Sequence, residues 1–385
     1  MKMRIFNVND SLDLKTGGGT AERTFQMSRF LARQNGVLCT VLTINSASLD
    51  AQRIKELEPA RVLALPCFWG RFHFPRVNWK VIKQLVNDAD IIHLMGHWSV
   101  LNAIVYVAAR RAGKPYVVCP AGALSLFGRS KLLKRFYNLV VGNALIRNAS
   151  GWIAVTKGEF PEFEIYGIHP SRVKVIPNGV SEEDIPSVDV AEFRLRHGLP
   201  DVPMILFMGR LNLIKGPDLL LQAFLTARLA FPRHHLVFAG PDGGMLDSLR
   251  ETVDQAGLLG IVHFLGYVGG ADKTAAYRMA SLLVVPSRHE AMSIVAIEAG
   301  ICGVPVLLTD QCGFGEIRSV DARLETPASV EGIADGLTRL LEGPDVLAAI
   351  SPAWLNFVKG RYSWSSLIHE YLVLYKSILD LAANK

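Results

Sequence analysis

Short apolar runs alternate along this chain with longer segments whose apolar residues recur at helical spacing. Each run has the length of a single strand and is apolar on both faces, as is typical of strands buried in a parallel sheet. Alternation of such strands with helices predicts doubly wound α/β domains. The predicted strands cover residues 3–8, 37–43, 60–65, 91–94, 116–119, 151–155 and 173–176 in the first half, and 204–208, 235–239, 262–265, 282–285 and 305–308 in the second.

A polar segment over residues 181–200 separates the two sets of strands and contains two prolines. The turn sequence Pro177-Asn178-Gly179 precedes it, so the segment is predicted to be a linker between two domains. A chain of 385 residues is long enough for two such cores. Residues 363–382 carry apolar and aromatic side chains on one helical face, which predicts a long final helix.

The five cysteines are scattered and form no CxxC pair, a pattern of reduced thiols that favours a cytosolic protein over a secreted one. No apolar run approaches the roughly 20 residues that span a bilayer. The first residues, MKMRIFNVND, contain no apolar core followed by a cleavage site. Neither a membrane span nor a signal peptide is therefore expected.

The charge is unevenly distributed along the chain. Residues 1–180 contain 24 Lys and Arg against 11 Asp and Glu, whereas the rest contains 17 against 24. A basic half of this kind is expected to meet an anionic partner, either nucleic acid or a membrane surface. No nucleic-acid-binding motif accompanies the charge. One basic segment is instead mixed with apolar residues, which favours the membrane surface. Its residues are Arg129, Lys131, Lys134, Arg135, Leu132, Leu133, Phe136 and Tyr137.

Two cations follow the predicted strand 204–208. Arg210 comes almost directly after it, and Lys215 stands just before Pro217, which fits a first helical position. Because ligands bind at the carboxyl ends of the strands in such sheets, both cations are expected to face one. Two cations at this point suit a diphosphate.

A second phosphate-binding element follows the predicted strand 282–285. Ser293 is a good N-cap for a helix that starts near Ile294, and the free amides and positive dipole end of that helix suit a phosphate. Glu290 precedes the helix, near the expected position of a sugar beyond the phosphates. Glu298, about one turn inside an otherwise apolar helix, has two oxygens that suit a ribose diol.

Together these features resemble the retaining glycosyltransferases of group 1 (family 4), which have the GT-B fold. The resemblance spans nearly the whole chain and rests on residues 16–23, 177–180, 209–216, 290–298, 303–306 and 362–364. It implies two facing Rossmann-like doubly wound domains with a cleft between them and a C-terminal helix that crosses back to the first domain. The implied acceptor-binding domain is 1–183 plus 363–385, and the implied nucleotide-sugar-binding domain is 184–362.

The resemblance also implies roles for residues of the second domain. Arg210 and Lys215 would bind the donor diphosphate and take part in catalysis. Glu298 would bind the ribose, and Val268 would lie near the base. Glu290 would be catalytic. The residues implied to surround the transferred sugar and its phosphate are Glu290, Ala291, Met292, Ser293 and Ile294.

In the first domain, the resemblance implies that Gly18 and Gly19, in a glycine-rich loop after the first strand, approach the donor phosphates with their backbone. His97 resembles an acceptor-side catalytic position of related enzymes. Most members with a catalytic-side histidine carry it after the next strand, in Pro-His-Gly, where this chain has Ala121. We therefore expect either that His97 takes over this role or that no histidine is required.

Three other kinds of site are not favoured. Residues 17–19 lack the GxGxxG spacing of a dinucleotide-binding turn, which argues against a dehydrogenase. His93 and His97 lie at a strand end and outside any HExxH helix, so no metal pair is expected. Asp88 and Asp90 match a metal-binding Asp-x-Asp pattern, but they precede a strand, away from the ligand edge. Stabilisation of the leaving diphosphate by cations and a helix N-terminus needs no metal or other cofactor.

The sequence thus predicts a cytoplasmic enzyme, peripheral at the inner face of the membrane. It would transfer a hexose with retention from a UDP- or GDP-sugar to a lipid-linked glycan or another envelope polysaccharide or lipopolysaccharide acceptor. Two alternatives stay open. One is a nucleotide-sugar isomerase of the UDP-N-acetylglucosamine 2-epimerase type on the same fold. The other is a non-catalytic protein that binds sugar nucleotides or glycans.

Overall fold

The computed structural model describes residues 2–45, 51–69, 74–124 and 130–383. Contacts divide the chain into two compact units, the first formed by Met1–Gly179 with Trp364–Lys385 and the second by Val180–Ser363. Each unit contains a sheet whose successive strands are joined mainly by helices. The predicted doubly wound α/β organisation is therefore confirmed.

The first unit contains an eight-stranded sheet. Its strands are β1 Met3–Val8, β2 Val37–Asn45, β3 Arg61–Trp69, β4 Phe74–Pro75, β5 Ile91–Met95, β6 Tyr116–Cys119, β7 Gly151–Ala154 and β8 Val173–Val175. They lie in the order β4-β3-β2-β1-β5-β6-β7-β8, and all pairs are parallel except β3 with β4. The connection after β1 leads to β2 on one side and the connection after β5 leads to β6 on the other, so the topological switch point lies between β1 and β5.

The helices of the first unit are α1 Leu14–Ala32, α2 Ala51–Glu56, α3 Trp79–Asp88, α4 Val100–Arg111, α5 Lys131–Tyr137, α6 Asn143–Arg147 and α7 Phe160–Ile165. A π-helix over Asn138–Gly142 joins α5 to α6. Side chains cap α3 and α4: Asn78 accepts a hydrogen bond from the Lys80 amide, and Ser99 accepts one from the Asn102 amide.

The second unit contains a six-stranded, all-parallel sheet. Its elements are α8 Val190–Arg196, β9 Met204–Met208, α9 Pro217–Ala227, β10 His235–Ala239, α10 Leu246–Gln255, β11 Val262–Gly266, α11 Gly270–Met279, β12 Ala280–Val285, α12 Ile294–Ile301, β13 Val306–Thr309, β14 Glu325–Thr326, α13 Val330–Leu341 and α14 Pro344–Arg361. The strands lie in the order β11-β10-β9-β12-β13-β14. The switch point between β9 and β12 is where such a sheet offers a ligand site.

The segment 181–200, predicted to be a linker, contains the helix α8, so the prediction is wrong over Val190–Arg196. The Asp189 side chain caps this helix by accepting hydrogen bonds from the amides of Ala191 and Glu192. Phe193, within the helix, is fully buried. Arg196 joins it to α11 through an ion pair of 2.7 Å with Asp272. The helix therefore belongs to the second unit. The short strands β4 and β14 were also not predicted, because two residues carry no periodic signal.

The final helix, α15 Trp364–Ala383, packs within the first unit. Trp364 stacks on Phe30 with ring centroids 6.4 Å apart, and Tyr371 is fully buried. The buried guanidinium of Arg23 in α1 bonds the Tyr371 hydroxyl at 2.6 Å and the Ile176 carbonyl at 2.7 Å. A charged group that is this deeply buried needs such partners. These contacts explain why the last helix joins the unit that begins the chain.

Candidate functional site

The loop after β9 is held against the loop after β12 by a glycine. Gly216 has a φ of 68°, and a Cβ at this position would lie 2.1 Å from the Pro286 carbonyl oxygen. Only glycine combines this backbone conformation with so close an approach. The contact brings Lys215, the residue before it, beside the residues that precede α12.

Lys215 forms an ion pair with Glu290. Its ammonium lies 2.8 Å from Glu290 Oε1, and the Glu290 side chain is 8% exposed. The same oxygen accepts a hydrogen bond from the Ser287 hydroxyl, and the Glu290 amide donates to the Gln311 carbonyl at 2.9 Å. These bonds hold the carboxylate in place. The structure therefore brings together two of the residues predicted from the sequence.

Arg210 lies on the same loop as Lys215, and its side chain is exposed. Leu211, directly after it, donates its amide to the Pro241 carbonyl at 3.0 Å. A Cβ on Gly243 would lie 2.9 Å from Arg210 Cγ, so the aliphatic stem runs close over the Gly243 backbone. Both predicted cations therefore lie on the loop that follows β9, at the carboxyl edge of the sheet.

The start of α12 differs from the prediction in one detail. Ser293 stands at the N-cap position, but its side chain makes no capping hydrogen bond. The residue is fully buried, and its hydroxyl oxygen has no hydrogen-bond partner among the residues that the structure describes. A buried hydroxyl without a partner is costly, and it lies here beside the open amides of a helix N-terminus. Both features suit an anion.

The backbone around Ala291 is also closely packed. Gly313 has a φ of 62°, and a Cβ on it would lie 2.0 Å from the Ala291 carbonyl oxygen. Met292, the next residue, is 6% exposed. The segment of Glu290, Ala291, Met292, Ser293 and Ile294 is thus held from one side by the loop after β13.

Glu298 lies on α12, and both of its carboxylate oxygens accept bonds from α11. Lys273 Nζ lies 2.5 Å from Oε1, and the Tyr277 hydroxyl donates to Oε2 at 2.7 Å. Val268, predicted near the base, is 7% exposed in the loop before α11. The sequence motifs do not include Lys273 or Tyr277. Their four-residue spacing predicts a shared helical face, but no local signal connects that face to Glu298.

Arg288 is a further residue to which the sequence motifs assign no role. Its guanidinium bonds both carboxylate oxygens of Asp218, at 2.9 and 2.6 Å, and the Leu213 carbonyl at 2.7 Å. Bidentate pairs of this kind add geometric specificity to the attraction of the charges. Arg288 therefore ties the loop that carries Lys215 to the loop that carries Glu290.

The glycine-rich loop predicted at Gly18 and Gly19 is observed as a non-helical break between two helical segments. Both residues lie within α1, which is broken at Gly18, where φ is 56° and ψ is −143°. Glycine allows this break because it has no Cβ. A Cβ on Gly17 would lie 2.6 Å from that of Ala21, so the chain is tightly packed across the break. The two glycines belong to the first unit, and their proposed role toward the donor phosphates stays a prediction.

His97 is buried rather than open to a substrate. Its ring is 1% exposed and is surrounded by Trp98, Tyr137 and Tyr166. Nε2 lies 2.8 Å from Asn138 Oδ1. Burial lowers the pKa of His97 to about 4, so the ring is neutral near pH 7. This placement does not favour a direct acid–base role, and the predicted acceptor-side role stays untested.

His93 lies in the interior of the same unit, where Nδ1 is 2.6 Å from the Tyr375 hydroxyl. Burial lowers the pKa of His93 to about 3. Asp90, of the Asp-x-Asp pattern, accepts the backbone amide of Arg4 at 2.8 Å and its guanidinium at 2.9 Å. Within the described ranges, no three His, Cys, Asp or Glu side chains are grouped as ligands for a metal ion.

The loop after β6, where a histidine is usual in related enzymes, has an unusual backbone. Ala121 has a φ of 50°, a left-handed conformation that is rare for residues other than glycine. The next residue, Gly122, donates its amide to the buried carboxylate of Glu159 at 2.6 Å. Burial raises the pKa of Glu159. Strain of this kind is often kept at functional sites.

The basic segment forms α5 and continues into the π-helix, with an outward apolar surface that we call the α5 face. Its residues are Leu132, Leu133, Phe136, Leu139 and Val140, which are 52–80% exposed. Lys131 and Arg135 are exposed beside them, whereas Lys134 lies 5.0 Å over the Trp98 ring. Arg129 lies outside the described residues. Among the described helices, none is both long and apolar enough to cross a membrane.

Comparison with known proteins gives consistent matches. The model of "Glycosyl transferases group 1" matches residues 189–353, and that of "Glycosyltransferase Family 4" matches residues 17–184. A D-inositol 3-phosphate glycosyltransferase of Frankia alni is 31% identical over 76% of this chain and 75% of its own length. D-inositol 3-phosphate glycosyltransferase 2 of Catenulispora acidiphila is also 31% identical, over 76% of this chain and 72% of its own.

Solved structures share the fold at lower identity. Anabaena HepE in complex with UDP and glucose has a TM-score of 0.77 and 19% identity, covering 97% of this chain and 100% of that chain. Sucrose-phosphate synthase from Thermosynechococcus elongatus has a TM-score of 0.76 and 19% identity, covering 99% and 100%. WaaG, described as involved in lipopolysaccharide biosynthesis, has a TM-score of 0.65 and 18% identity, covering 100% of both chains.

Proposed function

This chain is a glycosyltransferase of group 1, family 4, with the GT-B fold, and we propose that it transfers a hexose from a UDP- or GDP-sugar to a lipid-linked glycan or another cell-envelope acceptor. Transfer keeps the anomeric configuration of the donor, as the resemblance to retaining enzymes implies. The donor binds in the second unit, at the switch point between β9 and β12.

One observation carries the donor assignment: Lys215 and Glu290, on loops after two adjacent strands, are paired at 2.8 Å where α12 begins. A diphosphate at this point meets Lys215, Arg210, the α12 amides and the orphan hydroxyl of Ser293. In this proposal these positive or donating groups stabilise the negative charge of the leaving diphosphate. Because HepE is described in complex with UDP-glucose, uracil is the first base to test.

The roles of the two glutamates differ in this proposal. Glu290 lies beside Lys215 and therefore near the bond that breaks between the sugar and the diphosphate. Glu298, on α12, accepts hydrogen bonds from the hydroxyls of the donor ribose. Protein cations and helix amides supply the positive charge that a metal provides in other transferases, so the reaction proceeds without one.

The proposed acceptor class rests on the properties of the α5 face. Five large apolar side chains that are 52–80% exposed, next to Lys131 and Arg135, form a surface that suits an anionic lipid leaflet. We propose that the enzyme acts as a peripheral protein at the inner face of the membrane and takes a lipid-linked acceptor there. A second candidate acceptor is a soluble polyol phosphate, because relatives at 31% identity are named D-inositol 3-phosphate glycosyltransferases.

The test is release of nucleoside diphosphate from a panel of UDP- and GDP-sugars, each with and without acceptor. Two acceptors are compared: a lipid extract of cell envelopes and D-inositol 3-phosphate. Release with one sugar nucleotide that requires the lipid extract supports the proposal, and release that requires inositol phosphate supports the second candidate. Sugar interconversion without acceptor would identify an isomerase, and donor binding without any turnover would identify a binding protein.

A further inference from the structure

Two side chains of α11 hold the carboxylate of Glu298, one at each oxygen. Lys273 Nζ lies 2.5 Å from Oε1, and the Tyr277 hydroxyl donates to Oε2 at 2.7 Å. The pair comes from one helix and the carboxylate from the next, so the three groups join α11 to α12. Nothing in the sequence motifs assigns a role to either anchoring residue.

These two bonds restrict rotation of the Glu298 carboxylate about its χ3 torsion. The terminal χ3 torsion of glutamate is broad and roughly two-fold, so a free carboxylate rotates easily. Here each oxygen has its own donor, and rotation would break both bonds. Burial assists, because Tyr277 is 1% exposed and the Glu298 side chain is 15% exposed.

The Tyr277 hydroxyl is a dependable donor in this setting. Burial, together with the nearby Glu298 carboxylate, raises the pKa of Tyr277 well above its ordinary value. The phenol therefore keeps its proton throughout the neutral range. An ionised carboxylate has about four lone-pair positions, so a carboxylate with one anchor on each oxygen still has room to accept two hydroxyls.

We propose that Lys273 and Tyr277 are positioning residues that aim the Glu298 carboxylate at the ribose diol of the donor, so that the second unit selects ribonucleotides over deoxyribonucleotides. The inference rests on the proposed function, which places the donor ribose at Glu298. A site built to bond a hydroxyl rejects an analogue that lacks it, because its buried acceptor is then left without a partner. Selection is strong only if the carboxylate acceptor keeps its orientation. The bonds from Lys273 and Tyr277 prevent it from rotating away from the position of a missing hydroxyl.

The experiment is calorimetric titration with UDP, 2′-deoxy-UDP and 3′-deoxy-UDP. The wild-type protein is expected to bind UDP about tenfold or more tightly than either analogue, the size of one charged hydrogen bond. Lys273→Met and Tyr277→Phe are each expected to weaken UDP binding about tenfold and to bring UDP and its analogues closer together in affinity. Lys273→Arg, which keeps the cation, should restore part of the preference. If the wild type binds GDP instead, the guanosine series replaces the uridine one.

Steady-state kinetics distinguish a positioning role of Lys273 from a catalytic one. With the donor sugar, Lys273→Met should raise KM about tenfold while kcat at saturation stays within about twofold, because binding is lost equally in the ground and transition states. Asp272→Asn is the matched control: it breaks the surface ion pair with Arg196 one residue away on α11 and should leave the preference unchanged.

Thermal melts show whether each variant is folded. Folded Lys273→Met and Tyr277→Phe proteins that keep the wild-type ratio of UDP to deoxy-UDP affinity would overturn the inference. A wild type that binds UDP and both analogues equally would overturn it as well. A wild type that binds neither UDP nor GDP would instead contradict the proposed function on which it rests.

Discussion

The ammonium of Lys215 lies 2.8 Å from a carboxylate oxygen of Glu290. One residue follows β9 and the other follows β12, and these strands are neighbours at the switch point of the sheet. The contact depends on Gly216, because any side chain at that position would collide with Pro286. Opposite charges held together at the start of a helix are the central feature of the candidate donor site.

The first prediction concerns the cations. Lys215→Ala and Arg210→Ala should each reduce sugar transfer by about 100-fold or more, the effect of removing one group that stabilises charge in the transition state. Initial rates at saturating donor measure this. Lys359→Ala is a matched control, because Lys359 pairs with Glu182 at 3.0 Å on the surface and should transfer normally. Near-normal rates in both site variants would refute the diphosphate assignment.

Substitutions of Glu290 and Glu298 are predicted to affect UDP binding and turnover differently. Glu298→Gln should weaken UDP binding by about 1–3 kcal/mol, as expected when a charged hydrogen bond is left unmade. Glu290→Gln should lower kcat much more than UDP affinity, because Glu290 lies near the transferred sugar rather than the nucleoside. Calorimetry with UDP and steady-state kinetics measure the two effects. Equal losses of UDP affinity in both variants would contradict this division of roles.

Transfer is predicted to persist after metal removal. Arg210, Lys215 and the α12 amides carry the positive charge that the leaving diphosphate requires. The rate in excess EDTA should therefore match the rate in buffer, and added magnesium or manganese should change it little. Loss of activity in EDTA with recovery on adding either metal would show that this part of the proposal is wrong.

Vesicle binding tests the α5 face. Each cation near an anionic leaflet contributes about 1 kcal/mol, so replacing Arg129, Lys131, Lys134 and Arg135 by Ser should abolish co-sedimentation with anionic vesicles. Replacing Leu132 and Phe136 by Ser should weaken it, whereas neutral vesicles should not bind the wild type. High salt should also weaken binding, because it screens exposed charges. Equal binding to both vesicle types, or none at low salt, would leave the soluble acceptor as the better candidate.

Acid is predicted to destabilise the first unit through its buried histidines. Burial lowers the pKa of His97 to about 4 and that of His93 to about 3. The unfolded chain, with histidine near its ordinary pKa of about 6.5, binds more protons below that pH, so stability falls as the pH drops. Each histidine should remove about 2 kcal/mol of unfolding free energy between pH 7 and pH 5.

Urea melts at the two pH values measure this loss. His97→Phe should reduce the difference between pH 7 and pH 5, whereas His169→Ala, which changes an exposed histidine, should not. The same pH difference in all three proteins would show that His97 is not held neutral by the fold.

Most of the fold follows from the sequence because its strands are continuous apolar runs buried on both faces. The runs 3–8, 116–119, 204–208 and 235–239 coincide with observed strands. The linker prediction failed at Val190–Arg196 for a physical reason. This helix has only seven residues, and its stability comes from the burial of Phe193 and the ion pair of Arg196 with Asp272. Tertiary contacts of this kind leave no periodic signal in the sequence.

The candidate site shows the same limit. Arg210, Lys215, Glu290 and Glu298 could be identified because each stands at a fixed point relative to a strand or helix. Lys273, Tyr277 and Arg288 could not, because their importance comes from partners that are distant in the chain. The burial of His97 was equally invisible, since it results from aromatic rings contributed by separate segments.

Calorimetric titration of UDP and GDP into the wild type and Lys215→Met tests the central claim most directly. We expect the wild type to bind one of the two nucleotides at a single site, and Lys215→Met, which removes the ammonium but keeps the length of the side chain, to bind it at least about tenfold more weakly. Equal affinity in the two proteins, or no binding of either nucleotide to the wild type, would contradict a diphosphate site at Lys215, Glu290 and the start of α12.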